Sequence, residues 1–381
     1  MRFSLFSSAL VASLIGYGST IALVLAAASA LGATAAQTAS YVFAICLAKA
    51  IGSAWLSFQT RVPVVLAWST PGAALIAASE GVTLAQGIGA FVVAGGLIVL
   101  TGAVKPLGAL VARIPDQIAA AMLGGVLLPF CLALAGATKA VPMLALPMIL
   151  VFLLVRLRNP AFAVLAALAT GVGLAFVLGQ TGAVGGAVVL PHLGFVMPEF
   201  RASVVLGLGV PLYLVTMASQ NLPGFAVLRA AGYSPPVRPA LLITGGISTF
   251  FALFGAHTVS MAAITAAICL GDDTHPDKAQ RWKVGLVYGA VWLCLGVFGA
   301  LIIGVIAALP VPFVTALVGL ALLAPLMGAV SGAFTAPDHR FAALVTLVVT
   351  ASGLSVFGIG AAFWGLLAGL IVHGLESLAR R

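Results

Sequence analysis

Apolar runs long enough to cross a membrane, separated by single charged residues, fill almost all of this 381-residue chain. Charged residues make up 7% of it and the mean hydropathy is +1.24. A soluble domain carries roughly 25% charged residues. The sequence therefore excludes a soluble protein and predicts an all-α polytopic membrane protein.

Charged and turn residues divide the chain into fourteen predicted segments, because one helical pass needs about 20 apolar residues. The first apolar run is interpreted as a span and not as a removed signal peptide, since no convincing cleavage site follows it. Segments 1 to 14 are predicted at about 5–31, 38–58, 62–79, 83–104, 115–136, 140–156, 160–180, 202–228, 238–255, 257–271, 281–308, 312–333, 340–357 and 359–377.

The basic residues predict the orientation of these segments. With both termini in the cytoplasm of a bacterial-type inner membrane, fourteen Lys and Arg residues fall inside, and Lys139 and Arg201 fall outside. Lys49 lies within segment 2. This asymmetry is what the positive-inside rule requires. The net charge of +9 therefore reflects membrane topology and not a nucleic-acid site, because the basic residues are scattered singly.

Segments 3 and 10 do not look like continuous helices. Residues 61–79, RVPVVLAWSTPGAALIAAS, begin with β-branched and bulky residues, and Ser69-Thr70-Pro71-Gly72 is typical of a helix start. Gly255 to Ala267 is a similar stretch, in which residues 262–267 line up with residues 73–78, 189 positions earlier. We predict a short strand feeding a half-helix in each, an arrangement that points to the substrate site of a transporter.

The order of the segments suggests two related halves of seven. Gly32 after segment 1 corresponds to Gly232 after segment 8, and Ile114-Pro115 before segment 5 corresponds to Leu309-Pro310 before segment 12. Seven is an odd number, so the halves must be inverted relative to each other. Segments 3 and 10 would then run antiparallel and meet near the middle of the membrane.

Two helix N-termini that meet in one cavity offer unpaired N–H groups and partial positive charge, which suits a small anion. For any single one of these small residues, packing between helices explains its presence as well as substrate binding does. The substrate-binding candidates in these segments are Ser69, Thr70, Gly72, Ala73, Thr258, Ser260, Met261 and Ala262.

Segment 8 carries the most polar run inside the predicted membrane, Ser219 to Phe225. Gln220, Asn221 and Phe225 are substrate-binding candidates in the wall of a polar cavity, and Tyr17 is the substrate-binding candidate in the corresponding part of segment 1. Interhelical hydrogen bonding alone is the alternative.

Ionisable residues within the spans are the candidates for proton coupling. His257 could titrate near neutral pH or serve as a structural or capping residue. Lys49 could provide a countercharge or pair structurally. Asp116 could carry a proton or accept bonds at a helix start. The residues Asp272, Asp273, His275 and Asp277 are interpreted as a solvated loop, so no metal site is expected.

Four stretches make the chain similar to the benzoate:proton symporter family, BenE, over essentially its whole length: SLFSSALVASLIGYGSTIALVLAAASALGA, FQTRVPVVLAWSTPGAALIA, MASQNLPGFAVLRAAGY and FGAHTVSMAAITAAICLG. The family in turn resembles the inverted seven-plus-seven fold of the nucleobase/ascorbate transporters. That resemblance implies a core domain at 1–112 and 201–308 and a gate domain at 113–200 and 309–381. It also implies elevator-like movement of the core against the gate.

The resemblance implies import of benzoate or a similar aromatic carboxylate with protons, and a homodimer through the gate helices. Relatives that carry nucleobases typically place a Glu on segment 8, where this chain has Gln220 or Asn221. The alternatives are a nucleobase or inorganic-anion transporter of the same fold, or an anion channel. The sequence contains no P-loop, HExxH or GxSxG motif, so neither an enzyme nor a cofactor is expected.

Overall fold

The computed structural model describes residues 3–104, 115–182, 191–262, 264–272, 274–357 and 359–379, and helices dominate them. One helix, α8, runs from Ala202 to Ala230. Two short strands, β1 (Leu66–Trp68) and β2 (Val259–Met261), form one sheet. The other helices are α1 (Phe3–Ala30), α2 (Ala35–Thr60), α3 (Thr70–Ala77), α4 (Leu84–Ala103), α5 (Asp116–Ala140), α6 (Pro142–Arg158), α7 (Ala163–Val177), α9 (Val237–Ala252), α10 (Ile264–Leu270), α11 (Lys283–Val297), α12 (Gly299–Ala307), α13 (Val311–Ala333), α14 (Arg340–Ala351) and α15 (Ala361–Ala379).

Local sequence sets the starts of several helices. Thr34 caps α2 and Thr83 caps α4, each in a capping box completed by a glutamine three residues later. Ser69 caps α3, and Pro71 lies in the first turn, where its missing N–H costs nothing. The structure therefore confirms the helix start predicted within residues 61–79.

Both predicted broken segments consist of a short strand followed by a short helix, β1 with α3 and β2 with α10. Segment 11 is not one helix as predicted, because α11 ends at Val297 and α12 begins at Gly299. The Gly residues 296 and 299 flank this break and lower the helix propensity there.

Helix α8 contains two π-helical turns that the sequence analysis did not predict. They span Val205–Gly209 and Met217–Asn221, and each ends two residues before a proline, Pro211 or Pro223. Proline lacks the N–H of an α-helix and its ring crowds the carbonyl four residues earlier. A widened turn accommodates that ring without ending the helix.

The helices pack in pairs that bring distant parts of the chain together. Helix α4 packs along α9, α2 packs along α11, and α5 packs along α13. Close approach in the first pair depends on Gly95 and Gly245, since a Cβ on Gly245 would lie 2.8 Å from the Gly95 carbonyl oxygen. Small residues at helix crossings are typical of membrane proteins, where packing drives association.

Seven of the described helices are long and apolar enough to cross a membrane: α1, α2, α4, α5, α8, α13 and α15. The outer faces of α6, α14 and α15 expose large apolar side chains, as expected of surfaces in contact with lipid. Examples are Leu150, Leu154 and Leu157 on α6, Phe341 and Val348 on α14, and Ile371 and Leu375 on α15.

Candidate functional site

The two strands lie side by side in the interior and run antiparallel. Leu66 is opposite Met261, Ala67 is opposite Ser260, and Trp68 is opposite Val259. One further backbone bond extends the ladder at each end: the Ser69 amide donates to the Thr258 carbonyl over 2.9 Å, and Ala262 to Val65 over 3.0 Å. In this antiparallel ladder the two short helices leave from opposite ends, α3 beyond Trp68 and α10 beyond Met261.

Side chains from neighbouring helices satisfy the outward-facing backbone groups of the strands. Ser53 of α2 accepts from the Leu66 amide over 3.0 Å, and Ser248 of α9 accepts from the Val259 amide over 2.9 Å. Tyr288 of α11 donates to the Leu66 carbonyl over 3.0 Å. Non-helical backbone at membrane depth requires such partners, because lipid offers none.

Ser69 is a hydrogen-bonding hub behind the start of α3. Its hydroxyl oxygen accepts from the Gly72 amide over 3.1 Å and from the Thr216 hydroxyl over 3.0 Å. Thr216 is also 2.8 Å from the Thr258 hydroxyl. Two predicted substrate contacts, Ser69 and Thr258, are therefore engaged within the protein. The Ala73 amide, also predicted as a donor, binds the Ser69 carbonyl over 2.8 Å.

His257 links two structural elements and lies outside the cavity wall. Its Nδ1 is 2.7 Å from the Tyr41 hydroxyl, and its Nε2 is 3.2 Å from the Ser69 carbonyl. The side chain is fully buried. This geometry matches the structural role that the sequence analysis kept as the alternative to proton coupling.

A cavity of about 850 Å³ lies between the strand-containing elements and the helix pair α5 and α13. Its apolar lining includes Leu123 and Leu127 of α5, Leu322 and Pro325 of α13, and Trp68 of β1. The polar or charged residues on the lining are Ser19, Thr20, Lys49, Thr70, Asp116, Gln117, Ser219, Gln220, Thr265, Tyr288 and Thr335.

The cavity brings together five of the predicted functional residues: Lys49, Thr70, Asp116, Gln220 and Ala262. The other ten do not line it. They are Tyr17, Ser69, Gly72, Ala73, Asn221, Phe225, His257, Thr258, Ser260 and Met261.

The π-helical turn in α8 separates two adjacent polar residues. Gln220 lines the cavity, whereas Asn221 is fully buried and points to β2, where its Oδ1 accepts from the Met261 amide over 2.9 Å. Both residues were predicted to contact the substrate, because the sequence run does not reveal which face each one occupies.

Lys49 extends from α2 to the cavity wall and packs against tryptophan rings. Its Nζ is 2.9 Å from the centroid of a Trp292 ring and 4.2 Å from that of a Trp68 ring. The two tryptophans meet edge to face, with centroids 5.1 Å apart. Such contacts stabilise a cation through the ring quadrupole. Lys49 was a candidate from the sequence, whereas neither tryptophan was predicted to lie at the site.

Tyr17 lies behind this aromatic group. Its ring centroid is 5.8 Å from that of Trp68 and 5.8 Å from that of Trp292. Trp68 in turn donates from Nε1 to the Thr20 hydroxyl over 2.8 Å. Tyr17 was predicted to touch the substrate, but it instead supports the rings that form the wall.

Asp116 and Gln117 occupy the mouth of the cavity at the start of α5. Asp116 is exposed and lies in the first turn, where a carboxylate suits the helix dipole. Gln117 reaches the Thr335 hydroxyl beyond the end of α13 over 3.5 Å. The mouth therefore lies where α5 begins and α13 ends.

The acidic loop before α11 lies apart from the cavity. Arg281 contacts the Asp272 carboxylate and donates to the carbonyls of His275 and Leu270 over 2.7 and 2.8 Å. Asp273, a member of the same cluster, lies outside the described residues. Arg281 thus fastens this loop and the last turn of α10.

Sequence comparison finds the BenE family model, described as benzoate membrane transport protein, matching residues 1–375. The inner membrane protein YdcO of Escherichia coli (strain K12) is 43% identical over 370 residues, which cover 96% of this chain and 94% of that protein. The benzoate membrane transport protein of Acinetobacter baylyi is 33% identical over 363 residues, which cover 95% of this chain and 92% of that protein.

Two solved structures share the fold at low sequence identity. The transmembrane domain of the cyanobacterial bicarbonate transporter BicA has a TM-score of 0.61 at 15% identity, covering 99% of this chain and 98% of that one. The murine anion transporter Slc26a9 in its inward-facing state has a TM-score of 0.62 at 14% identity, and the match covers 98% of this chain and 68% of that one.

Proposed function

The chain belongs to the BenE family of benzoate membrane transport proteins, and from this premise we propose that it imports benzoate or a similar aromatic carboxylate together with protons. It is a multi-pass inner membrane transport protein and not an enzyme. The observation that best supports a substrate site is the cavity, because its lining combines the start of α3 with aromatic side chains.

The start of α3 is the proposed position of the carboxylate. Thr70 and Pro71 line the cavity at this helix end. The helix dipole favours negative charge there, and the Thr70 hydroxyl can donate a hydrogen bond. Ala262 and Thr265 bring the start of the second broken segment to the same cavity.

The substrate ring is proposed to lie between Trp68 and the apolar side chains of α5 and α13. Trp68 offers an aromatic surface, and Leu123 of α5 and Leu322 of α13 line the same cavity. The resemblance places the glutamate of nucleobase relatives at Gln220 or Asn221; of these two, Gln220 lines the cavity, and a neutral amide does not repel a carboxylate. Of the described lining residues, Asp116 alone is acidic, and it lies at the mouth.

We propose fourteen segments in two inverted repeats, with a core at 1–112 and 201–308 and a gate at 113–200 and 309–381. Support comes from the antiparallel strands and from the packing of α4 with α9 and of α2 with α11, which inverted halves would relate. The cavity lies between the proposed core and gate, so movement of one against the other would carry the substrate.

The proposed orientation has both termini in the cytoplasm. The mouth would then face the cytoplasm, because α5 begins and α13 ends on that side under this topology. A homodimer through the gate helices stays a prediction; the exposed apolar residues of α14 and α15 are compatible with either lipid or a partner.

Transport by purified protein in liposomes tests the proposed function. Benzoate should accumulate under an inward proton gradient and saturate, and uptake should stop when a protonophore removes the gradient. Competition with uracil and bicarbonate separates the alternative substrates of this fold. Flux that follows voltage alone without saturation would instead indicate a channel.

A further inference from the structure

Lys49 is a buried basic residue at the edge of the cavity. Its side chain is 1% exposed, yet it belongs to the cavity lining. Within the described residues no carboxylate lies at ion-pair distance from the Lys49 Nζ. The ion pair that these residues form joins Arg281 and Asp272, away from the cavity. The ring faces of Trp68 and Trp292 lie against the Lys49 Nζ.

An ammonium group in this position lacks a full counterion. Removing a charge from water is costly unless an opposite charge and hydrogen bonds compensate for it. Cation–π contacts at desolvated sites return about 2 kcal/mol or more, against a desolvation cost of several kcal/mol for a buried ion. A lysine with this environment is therefore suited to an anion that enters and leaves.

The surroundings of Lys49 also suit the rest of an aromatic anion. Trp68 and Tyr288 line the cavity beside Lys49, and Tyr288 packs against Trp292 with centroids 5.9 Å apart. Thr70, at the start of α3, lines the same cavity. A basic side chain, a helix N-terminus and aromatic rings thus line one cavity.

We propose that Lys49 is the substrate-binding residue that provides the positive charge for the transported carboxylate, and that its ammonium exchanges part of its contact with Trp292 for the substrate. This inference rests on the proposed function and adds the residue that selects an anionic over a neutral ligand. A neutralised ion pair also costs less to carry through the membrane interior than a lone carboxylate.

Binding of benzoate and of its neutral analogue benzamide to detergent-purified protein tests this role. The variants are Lys49→Met, which removes the charge, and Lys49→Arg, which keeps it. Lys139→Met is the matched control, because Lys139 is an exposed lysine at the end of α5. The thermal unfolding of each ligand-free variant is measured alongside.

The wild type should prefer benzoate to benzamide, and Lys49→Met should bind benzoate roughly 10- to 100-fold more weakly while retaining benzamide binding, as expected for loss of a charged hydrogen-bond partner. Lys49→Arg should restore part of the preference, and Lys139→Met should behave as wild type. Ligand-free Lys49→Met should unfold no earlier than wild type, because it removes a buried charge without a counterion.

Unchanged benzoate affinity in Lys49→Met would overturn the inference. Equal weakening of benzoate and benzamide would also overturn it, since that pattern indicates a packing role for Lys49. If Lys49→Met does not fold, the wild type alone still decides, because equal affinity for the two ligands contradicts a charge-selecting lysine. Failure of the wild type to bind any aromatic carboxylate would instead refute the proposed function.

Discussion

Asn221 of α8 accepts a hydrogen bond at Oδ1 from the backbone amide of Met261 in β2, over 2.9 Å. The bond joins a π-helical turn to the second strand, and both residues are buried. Gln220, the preceding residue, lines the cavity instead. Two adjacent amides therefore occupy different places, one bonded to the second strand and one facing the cavity.

Substitution of these two residues should give opposite results. Asn221→Ala leaves a buried amide unsatisfied and should cost about 1–3 kcal/mol of stability. Gln220→Ala should leave the unfolding temperature nearly unchanged and weaken stabilisation by benzoate. Thermal unfolding with and without benzoate measures both effects. Equal unfolding temperatures for Asn221→Ala and the wild type would contradict the structural role of Asn221.

Ser69 and Thr70 form a second pair with different expected effects. Ser69→Ala removes the cap of α3 and the bond from Thr216, so it should lower stability by about 0.5–2 kcal/mol. Thr70→Val keeps the side-chain shape and removes a hydroxyl from the cavity wall. It should bind benzoate roughly tenfold more weakly at unchanged stability. Benzoate binding unaffected by Thr70→Val would move the carboxylate away from the start of α3.

Two neighbouring glycines of α9 test the packing of α4 against α9. A Cβ on Gly245 would lie 2.6 Å from the Val99 backbone nitrogen, whereas a Cβ on Gly246 would meet no atom within 4 Å. Gly245→Ala should therefore lower stability by about 1–3 kcal/mol through overpacking. Gly246→Ala is the control and should be neutral or raise stability by up to about 1 kcal/mol through helix propensity. Thermal unfolding of both variants checks the difference, and a similar response in both would contradict the close contact.

Cysteine labelling at the two ends of α5 tests the proposed orientation. Gln117 lies at the start of this helix and Lys139 near its end. In intact cells, a membrane-impermeant maleimide should label Lys139→Cys and should not label Gln117→Cys. Inside-out vesicles should reverse the pattern. The wild type provides the background from the four native cysteines. Labelling of Gln117→Cys in intact cells would place the cavity mouth outside.

The sequence alone determined the features that depend on local chemistry and on apolar length. Scarcity of charge required a membrane protein, and the Ser-Thr-Pro-Gly run required a helix start at Ser69. Both broken segments were predictable, because β-branched residues before a capping sequence cannot continue a helix easily. Four sequence stretches were enough to identify the BenE family, which the whole-chain match confirms.

Only the tertiary structure decided which polar residue faces the cavity. In a helix that is apolar on every side, hydrophobic periodicity does not distinguish a face in contact with lipid from one that lines a cavity. The π-helical turn at Met217–Asn221 also breaks the 3.6-residue period, so the faces of Gln220 and Asn221 could not be assigned from spacing.

Long-range contacts decided the remaining roles. Ser69 was predicted to contact the substrate, but its hydroxyl oxygen accepts a hydrogen bond from Thr216, 147 residues away in sequence. His257 was a candidate for proton coupling, but Tyr41, 216 residues away, binds its ring. Lys49 gained its significance from Trp292, which no local pattern connects to it. Such partners are set by how the helices pack, and packing between distant segments is not encoded in any one stretch of the chain.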